Sequence, residues 1–382
     1  MRKKQNLITH ITGSIARTLL ALTFLFSGFV KAVDPLGTVY KIEDYLKAFG
    51  GFFTDLLPAA GVAAVMLIAT EWLLGWAMFF NIGTKLTSWL SLLFYLFMTP
   101  LTLWIALNNP ISDCGCFGDA LVLTNWQTFW KNVVLLSLVI ILLCCKKAIP
   151  QLFSWWAELI LFLLGAGVAA GVMSYSYTHL PPIDFRPYKV GNHIPTLMEI
   201  PEELKPDTTL ITLTYEKDGV QQTFDLSNYP KSGWEFVDQV SIPAKKVYEN
   251  GELVGTKPVD AKAPIHDFEI DNLNDGVITE AILESDEPIT LVVMYDLNKT
   301  DRKQLDKLKN IIHERPNVYF LTGSGEDAIM EMAEELGWDE ETTYATFCYT
   351  DPVTLKTIVR ANPGMFVIQN GTVIEKHNFR QL

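Results

Sequence analysis

The sequence predicts a membrane-embedded helical bundle followed by a water-soluble α/β domain, with a β-rich extension between them. Five apolar stretches in the first half are long enough to cross a bilayer, which takes about 20 mostly apolar residues. The second half alternates strand and helix patterns. Charge divides in the same place, because residues 1–180 have a net charge of +3 and residues 181–382 one of −16, which together give the −13 of the 382-residue chain.

Trp and Tyr recur near the ends of the third, fourth and fifth predicted spans, as in helices anchored at a membrane interface. A cleaved signal peptide is the alternative for the first span, because basic residues precede it; no A-x-A-like site follows, however, and four further spans do. The predicted spans are residues 11–33, 58–82, 86–107, 126–144 and 153–177. The lipid bilayer is therefore a predicted partner, and we divide the chain into residues 1–150 (four-helix membrane domain), 151–180 (fifth span), 181–257 (extension) and 258–382 (α/β domain).

Basic residues predict the orientation of the bundle. With five spans, residues 2–4, Lys85 and residues 146–147 fall on one side, and the positive-inside rule places that side in the cytoplasm. We therefore expect a bacterial inner-membrane protein with a cytoplasmic N-terminus and a periplasmic C-terminal domain. Residues 39–49, in the periplasmic loop after the first span, have apolar side chains on one helical face and predict a short interfacial helix.

The most informative motif is Asp113-Cys114-Gly115-Cys116-Phe117-Gly118-Asp119, in a loop that this orientation places in the oxidising periplasm. Two sulfurs one residue apart can interconvert between dithiol and disulfide, and a glycine between them permits the tight bend. So small a ring lies far from relaxed disulfide geometry, which favours easy reduction and action as an oxidant. Cys144 and Cys145 fall on the cytoplasmic side and are interpreted as inert packing or interface residues.

Three ionisable residues lie within or near the spans: Arg17, Lys31 and Glu71. At about 1.5 Å rise per residue, Arg17 and Glu71 lie roughly 24 Å and 20 Å from the periplasmic ends of their spans, so we predict that they pair. Such a pair either locks two helices together or contacts a proton or a quinone head group. Lys31 is expected to snorkel to the surface, where it could lower the pKa of a nearby thiol.

Several motifs in the first half resemble the DoxX-like superfamily, and specifically its MauE branch, over about residues 14–145. They are Arg17, Phe26-Ser27-Gly28-Phe29-Val30-Lys31, Asp34-Pro35-Leu36-Gly37, Glu71-Trp72-Leu73-Leu74-Gly75 and Cys114-Gly115-Cys116-Phe117-Gly118. The resemblance implies a small helical bundle. MauE is linked to methylamine utilisation, where it is thought to help mature a disulfide-rich periplasmic dehydrogenase subunit, and some DoxX relatives are tied to quinone-linked sulfur oxidation. Neither substrate carries over to this chain.

Residues 181–257 contain a predicted β-hairpin, with strands at 210–215 and 220–226 around Glu216-Lys217-Asp218-Gly219. Asn192, Tyr229 and Trp234 are candidate binding residues here, and packing is the alternative that we favour.

Residues 258–382 predict strands at 289–295, 317–321, 344–349, 365–368 and 372–376, with helices at 301–314 and 326–336. This order resembles a thioredoxin fold of the TlpA-like type, as does Ala263-Pro264-Ile265-His266-Asp267-Phe268, and Pro363 occupies the position of that family's cis-proline. The family's C-x-x-C is absent, because the junction at 295–303 contains no cysteine. The resemblance therefore implies a groove beside Pro363 that holds an extended peptide without reacting with it. Cys348 is interpreted as a core residue, with a lone exchange partner for Cys114 and Cys116 as the alternative.

Three hypotheses of function follow. The first is a membrane thiol–disulfide oxidoreductase that uses Cys114 and Cys116, with a quinone or a second redox protein as electron partner and a periplasmic client. The second is a non-enzymatic assembly factor that binds a periplasmic partner. The third is a carrier that uses Arg17 and Glu71, against which the lack of an evident internal repeat argues. The acidic second half argues against a nucleic-acid partner, and no zinc, hydrolase or phosphate-loop motif is present.

Overall fold

The structure is a computed structural model that describes residues 2–111, 113–150, 152–217, 220–225, 230, 233–249, 252–259 and 262–382. Within this described part of the chain, five helical segments are long and apolar enough to cross a membrane, and they confirm the five predicted spans to within a few residues at most ends. These segments are Leu7–Val33, Gly51–Phe79, Thr84–Asn108, Asn125–Cys145 and Trp155–Thr178.

Two helices of the first half begin at capping residues that the sequence makes recognisable. A capping box at Thr124, whose side chain accepts a hydrogen bond from Gln127 N, begins the fourth spanning helix. Asp34 caps the short helix after the first span and is followed by proline at the first turn. The helices are α1 (Arg2–Val33), α2 (Pro35–Phe49), a 3-10 helix (Gly51–Ala59), α3 (Ala60–Phe79), α4 (Thr84–Asn108), α5 (Asn125–Cys145) and α6 (Trp155–Thr178).

Two glycines bring α1 and α3 into backbone contact. A Cβ atom at Gly28 would lie 2.6 Å from Trp72 N, and one at Gly75 would lie 2.5 Å from Leu25 N. Small residues permit this close approach between membrane helices. The contact places the Ser27 and Lys31 face of α1 directly opposite Glu71 of α3. These three residues form part of the candidate site.

The extension contains a four-stranded antiparallel sheet with the strand order β2-β1-β3-β4. It confirms the predicted hairpin, because Lys217 pairs with Val220, while Asp218 and Gly219 of its turn lie outside the described residues. Tyr229 also lies outside them; Trp234 packs on Phe224 at 5.3 Å, and Asn192 donates to Pro187 O. Its elements are α7 (Ile194–Met198), β1 (Thr208–Lys217), β2 (Val220–Asp225), β3 (Glu235–Glu249) and β4 (Glu252–Pro258).

The C-terminal region is a mixed seven-stranded sheet with the order β11-β10-β7-β8-β9-β5-β6. Strands β7, β8 and β9 are parallel, and β10 runs antiparallel to β7. Helices cover both faces, each over an apolar core. The elements are β5 (Asp271–Asn272), β6 (Gly276–Val277), α8 (Thr279–Glu284), β7 (Ile289–Val293), α9 (Leu305–Glu314), β8 (Val318–Thr322), α10 (Glu326–Leu336), α11 (Glu340–Thr346), β9 (Phe347–Tyr349), α12 (Pro352–Ile358), β10 (Gly364–Gln369) and β11 (Thr372–Asn378).

Most of the predicted elements of this region are confirmed, and one is partly wrong. The predicted strand at 344–349 is a helix up to Thr346 and a strand only from Phe347. The helix forms because Asp339 caps it by accepting a hydrogen bond from Thr342 N at 2.9 Å. The Asn362–Pro363 peptide bond is cis.

Candidate functional site

The cysteine loop, Asp113–Asp119, brings its two sulfurs close together. The Sγ atoms of Cys114 and Cys116 are 2.8 Å apart, and both are free thiols rather than the roughly 2.05 Å pair of a disulfide. Gly115 has φ = +65°, and a Cβ atom there would lie 2.8 Å from Lys41 Cγ. Glycine is therefore required both by the left-handed conformation and by the close approach of α2.

Hydrogen bonds from α1 and α2 fix the loop backbone. Tyr45 Oη donates to the carbonyl of Cys114 at 2.8 Å, and Lys41 Nζ lies 3.1 Å from an Asp113 carboxylate oxygen. From α1, Ser27 Oγ and Lys31 Nζ donate to the carbonyl of Cys116 at 2.6 and 2.5 Å. The loop is thus held by side chains of α1 and α2.

Glu71 pairs with Lys31, which corrects the prediction that it pairs with Arg17. Lys31 Nζ lies 2.7 Å from Glu71 Oε2, which also accepts from Ser27 Oγ at 2.8 Å. Arg17 instead donates to the backbone carbonyls of Met78 and Phe79 at the end of α3. Met78 O also accepts from Asn81 N at 3.2 Å, and carbonyls in the last turn of a helix lack an N–H donor four residues on, which leaves them available to a guanidinium.

Lys31 does not snorkel, because α2 and the cysteine loop cover the end of α1 where it lies. Its side chain is 5% exposed, and that of Glu71 is 8% exposed. A buried ion pair requires further hydrogen bonds to offset desolvation, and Ser27 together with the Cys116 carbonyl supplies them. The paired charges therefore lie directly beneath the cysteine loop.

Lys131 of α5 was not among the predicted site residues, and its ammonium lies 4.4 Å from the centre of the Phe117 ring. A single lysine inside an otherwise apolar span was the available signal.

The hydrogen bond between the two thiols lowers the pKa of Cys116 to about 6. Burial opposes this lowering, and the charges of Lys131 and Lys31 reinforce it. The same hydrogen bond, with burial, raises the pKa of Cys114. Cys116 is accordingly the more acidic thiol.

A cavity of about 550 Å³ adjoins both cysteines, a volume typical of small-molecule sites. Its floor within the bundle includes Ser27, Lys31 and Glu71, and Phe94, Tyr95 and Met98 of α4 line one wall. Arg17 is not among the residues that line it.

The C-terminal domain contacts the cysteine loop through Arg360, which lies between α12 and β10. Arg360 Nε lies 2.9 Å from Asp34 Oδ2, and its Nη2 lies 3.2 Å from Asp119 Oδ2. Tyr40 of α2 hydrogen-bonds Tyr295 of the domain at 3.2 Å between hydroxyl oxygens. The two halves of the chain therefore meet at the cysteine loop and α2, with charged groups buried in the contact.

Pro363 lies on the same side of the domain as Arg360. A pocket of about 190 Å³ beside it includes Tyr295, Lys299 and Asp301.

Cys348 is fully buried, as predicted, and burial raises its pKa to about 12. Of the remaining cysteines, Cys145 is buried against Gly13, while Cys144 is exposed on the helix surface, where only the interface interpretation applies to it.

The bundle and its loop thus define a membrane domain with a covered pair of thiols. Residues 9–145 match the family described as methylamine utilisation protein MauE, and residues 209–246 match a domain of unknown function, DUF8463. Comparison with the curated proteins and with the solved structures gave no match. The MauE match includes every bundle residue of the candidate site, which confirms the resemblance over the membrane half.

Proposed function

We propose that the chain is a membrane-bound thiol–disulfide redox protein whose reactive groups are Cys114 and Cys116. The observation that carries the proposal is the 2.8 Å separation of the two thiol sulfurs beside a cavity. Little movement is needed to form the bond between them, and the lowered pKa of Cys116 supplies the thiolate that such chemistry uses.

The proposed cycle transfers two electrons. Two thiols of a client react with the Cys114–Cys116 disulfide, so that a disulfide forms in the client and the pair becomes a dithiol. Re-formation of the bond between Cys114 and Cys116 then passes two electrons and two protons to an acceptor, which is a membrane quinone or the disulfide of a second redox protein. The strain of a disulfide ring with one intervening residue favours the transfer of electrons from the client to the cysteine pair.

The cavity supports a quinone as the acceptor. It extends from the cysteines to the buried Lys31–Glu71 pair, and aromatic side chains of α4 line it. Lys31 and Glu71 would bind the ring oxygens, and the quinone would supply a two-electron, two-proton acceptor. Because Arg17 bonds helix carbonyls and does not line the cavity, the proposal assigns head-group binding to Glu71 with Lys31 rather than to Glu71 with Arg17.

We assign residues 258–382 to a thioredoxin-like fold without C-x-x-C, facing the periplasm, with a client groove beside Pro363. Parallel β7 and β8, linked by α9, and antiparallel β10 and β11 support this assignment. Asn362 Nδ2 donates to Asp296 O at 2.8 Å, so the junction where the family has its cysteines lies beside Pro363. No thiol is described there, and the domain's role is to bind.

Alkylation trapping of the purified full-length protein tests the redox proposal. After incubation with a reduced dithiol peptide, two additional alkyl groups are expected, one on Cys114 and one on Cys116, and the peptide should become oxidised. The Cys114→Ser/Cys116→Ser variant should lose both effects, whereas Cys144→Ser, which alters the exposed cysteine at the far end of α5, should keep them. The proposal fails if Cys114 and Cys116 do not change state and the double variant oxidises the peptide as well as the wild type.

A non-enzymatic assembly factor is the second candidate, and one observation favours it. The extension sheet exposes Phe236, Tyr248 and Leu253 by more than half of their surface, as a partner-binding face does. Crosslinking in membranes separates the two functions. The assembly factor would be favoured by a partner protein that stays bound to the variant with both cysteines replaced by serine and that still reaches its mature form.

A further inference from the structure

Lys131 has an ammonium group that faces the cysteine loop without a carboxylate of its own. It is half-buried on α5, second turn from the start of the helix, and lies over the Phe117 ring at 4.4 Å. The carboxylates around the loop are bound by other cations: Glu71 by Lys31, Asp113 by Lys41 and Asp119 by Arg360. Among the residues that the structure describes, no ion pair includes Lys131.

Of the two described lysines whose charge acts on Cys116, Lys131 and Lys31, only Lys131 lacks a carboxylate partner. The positive charge of Lys31 is balanced by Glu71 at 2.7 Å. From α2, Lys41 is balanced by the Asp113 carboxylate at 3.1 Å. The titratable and charged groups facing the two thiols from the packed elements are Lys31 of α1, Lys41 and Tyr45 of α2, Glu71 of α3, Tyr95 of α4, Lys131 of α5, Arg360 of the C-terminal domain, and Asp113 and Asp119 of the loop itself.

We propose that Lys131 is a positioning residue whose charge stabilises a thiolate on Cys116, so that Cys116 ionises while Cys114 keeps its proton. An ammonium beside a partly desolvated sulfur favours the charged form of that sulfur. Cys114 is suited to the complementary role, because it is nearly fully buried and its S–H can donate across the 2.8 Å gap to Cys116.

Within the proposed function, on which this inference rests, each cysteine has a separate role. From the cavity that both cysteines line, a client thiolate attacks Sγ of Cys114, so that a bond forms between the client sulfur and Cys114 and the Cys114–Cys116 bond breaks. The electron pair leaves on Cys116, whose thiolate faces Lys131. A second client thiolate then attacks the client sulfur of the mixed disulfide, and Cys114 leaves and takes up a proton. A more stable thiolate is a better leaving group, so Lys131 favours the first exchange.

The pH dependence of Cys116 alkylation tests the inference in the full-length protein in detergent. In a Cys114→Ser background, the rate of iodoacetamide modification of Cys116 is followed by peptide mass spectrometry between pH 5 and pH 9. Lys131→Met should shift the midpoint upward by about one unit, which makes modification roughly ten-fold slower below the midpoint. Lys131→Arg should keep the wild-type midpoint, since it retains the charge.

Lys146→Met is the matched control, because Lys146 also lies over an aromatic ring, that of Trp89, but at the opposite end of α5. It should leave the midpoint unchanged. With both cysteines intact, Lys131→Met should also lower the reduction potential of the pair, because the reduced form loses a stabilised thiolate. The inference is overturned if Lys131→Met leaves the midpoint unmoved, or if Lys131→Arg shifts it equally.

These outcomes are independent of the redox function itself. A wild-type protein that never changes thiol state in the trapping experiment, yet shows the Lys131-dependent shift, would refute the proposed function and leave the electrostatic role intact. Redox cycling of the wild-type pair, together with an unchanged pH midpoint of Cys116 alkylation in Lys131→Met, would support the proposed function and refute the role of Lys131.

Discussion

Arg360 and Asp34 form a salt bridge, 2.9 Å between Nε and Oδ2, that joins the C-terminal domain to the start of α2. The Arg360 side chain is 7% exposed and that of Asp34 is 15% exposed. The second arm of the guanidinium reaches Asp119 at 3.2 Å, within the cysteine loop. Burial raises the pKa of Asp34, but the nearby Arg360 and Arg186 charges outweigh it and leave that pKa lowered. The position of the domain is therefore coupled to the loop that contains both thiols.

Arg360→Gln should loosen the contact between the domain and the loop. It leaves Asp34 partly buried without its cation, and close buried charge pairs typically show coupling energies of about 1.5 kcal/mol or more. Cys114 and Cys116 should then react faster with a bulky maleimide, by about ten-fold or more. Arg315→Gln, which breaks an ion pair with Glu375 on the same domain, is the control and should leave the rate unchanged. Equal rates in all three proteins would show that Arg360 does not hold the domain against the loop.

Lys31 and Glu71 should be energetically coupled, whereas Arg17 and Glu71 should not. Breaking a buried ion pair by removing one partner costs about 3–5 kcal/mol, and removing both costs much less. Thermal unfolding in detergent should therefore show that Lys31→Met and Glu71→Gln are each destabilising and that the double variant recovers much of the loss. The Arg17→Gln/Glu71→Gln cycle should be additive. A large coupling between Arg17 and Glu71 would contradict the observed pairing.

Gly115→Ala should disturb the approach of the two sulfurs. Alanine at φ = +65° costs about 1–3 kcal/mol, and its Cβ atom would lie 2.8 Å from Lys41 Cγ. Because Lys41 must then move away from Asp113, oxidation of the dithiol by a small oxidant should slow. Gly61→Ala is the matched control, since outside its chain neighbours and the adjacent backbone of α3 no atom lies within 4 Å of the added carbon there. Unchanged oxidation kinetics in Gly115→Ala would remove the structural role assigned to this glycine.

Lys376 should make stability rise with pH above neutrality. Burial, followed by repulsion from Arg186, lowers its pKa to about 7, against the opposing attraction of Asp184. Between that value and about 10.4, the pKa of an unfolded-state lysine, the unfolded chain binds more protons than the folded one. Folding stability therefore increases with pH in this window, by at most about 1.4 kcal/mol per unit.

The comparison of wild type with Lys376→Met isolates this contribution. The difference in unfolding midpoint between pH 7 and pH 9 should be smaller in the variant, because methionine does not titrate. Lys205→Met, at an exposed surface pair with Glu202, should behave as the wild type does. A variant whose midpoint has the same pH dependence as the wild type would place the lysine pKa outside this range.

The spans and the cysteine motif could be predicted because each depends only on residues that lie close together in the sequence. Apolar length identifies a spanning helix, and the spacing of Cys114 and Cys116 alone brings their sulfurs together. The partner of Glu71 could not be found in the same way. Depth estimates compared only distances along two helices, whereas the choice of Lys31 over Arg17 depends on which helix faces meet at Gly28 and Gly75.

The contact of Arg360 with Asp34 and Asp119 could not be predicted from the sequence for a different reason. These residues are separated by 326 and 241 positions, and no local pattern relates them. Their proximity follows from the way the C-terminal sheet is placed on the bundle. Lys131, in contrast, was a signal within a single helix, since a lysine in an apolar span needs a polar or anionic neighbour.

The central claim is that Cys114 and Cys116 form a reversible disulfide on the periplasmic side of the membrane. Labelling of intact cells with a membrane-impermeant maleimide, before and after mild reduction, tests it most directly. We predict that neither cysteine is labelled before reduction and that both are labelled after it, without permeabilising the inner membrane. Equal labelling before and after reduction, or labelling of either cysteine only after lysis, would contradict the account.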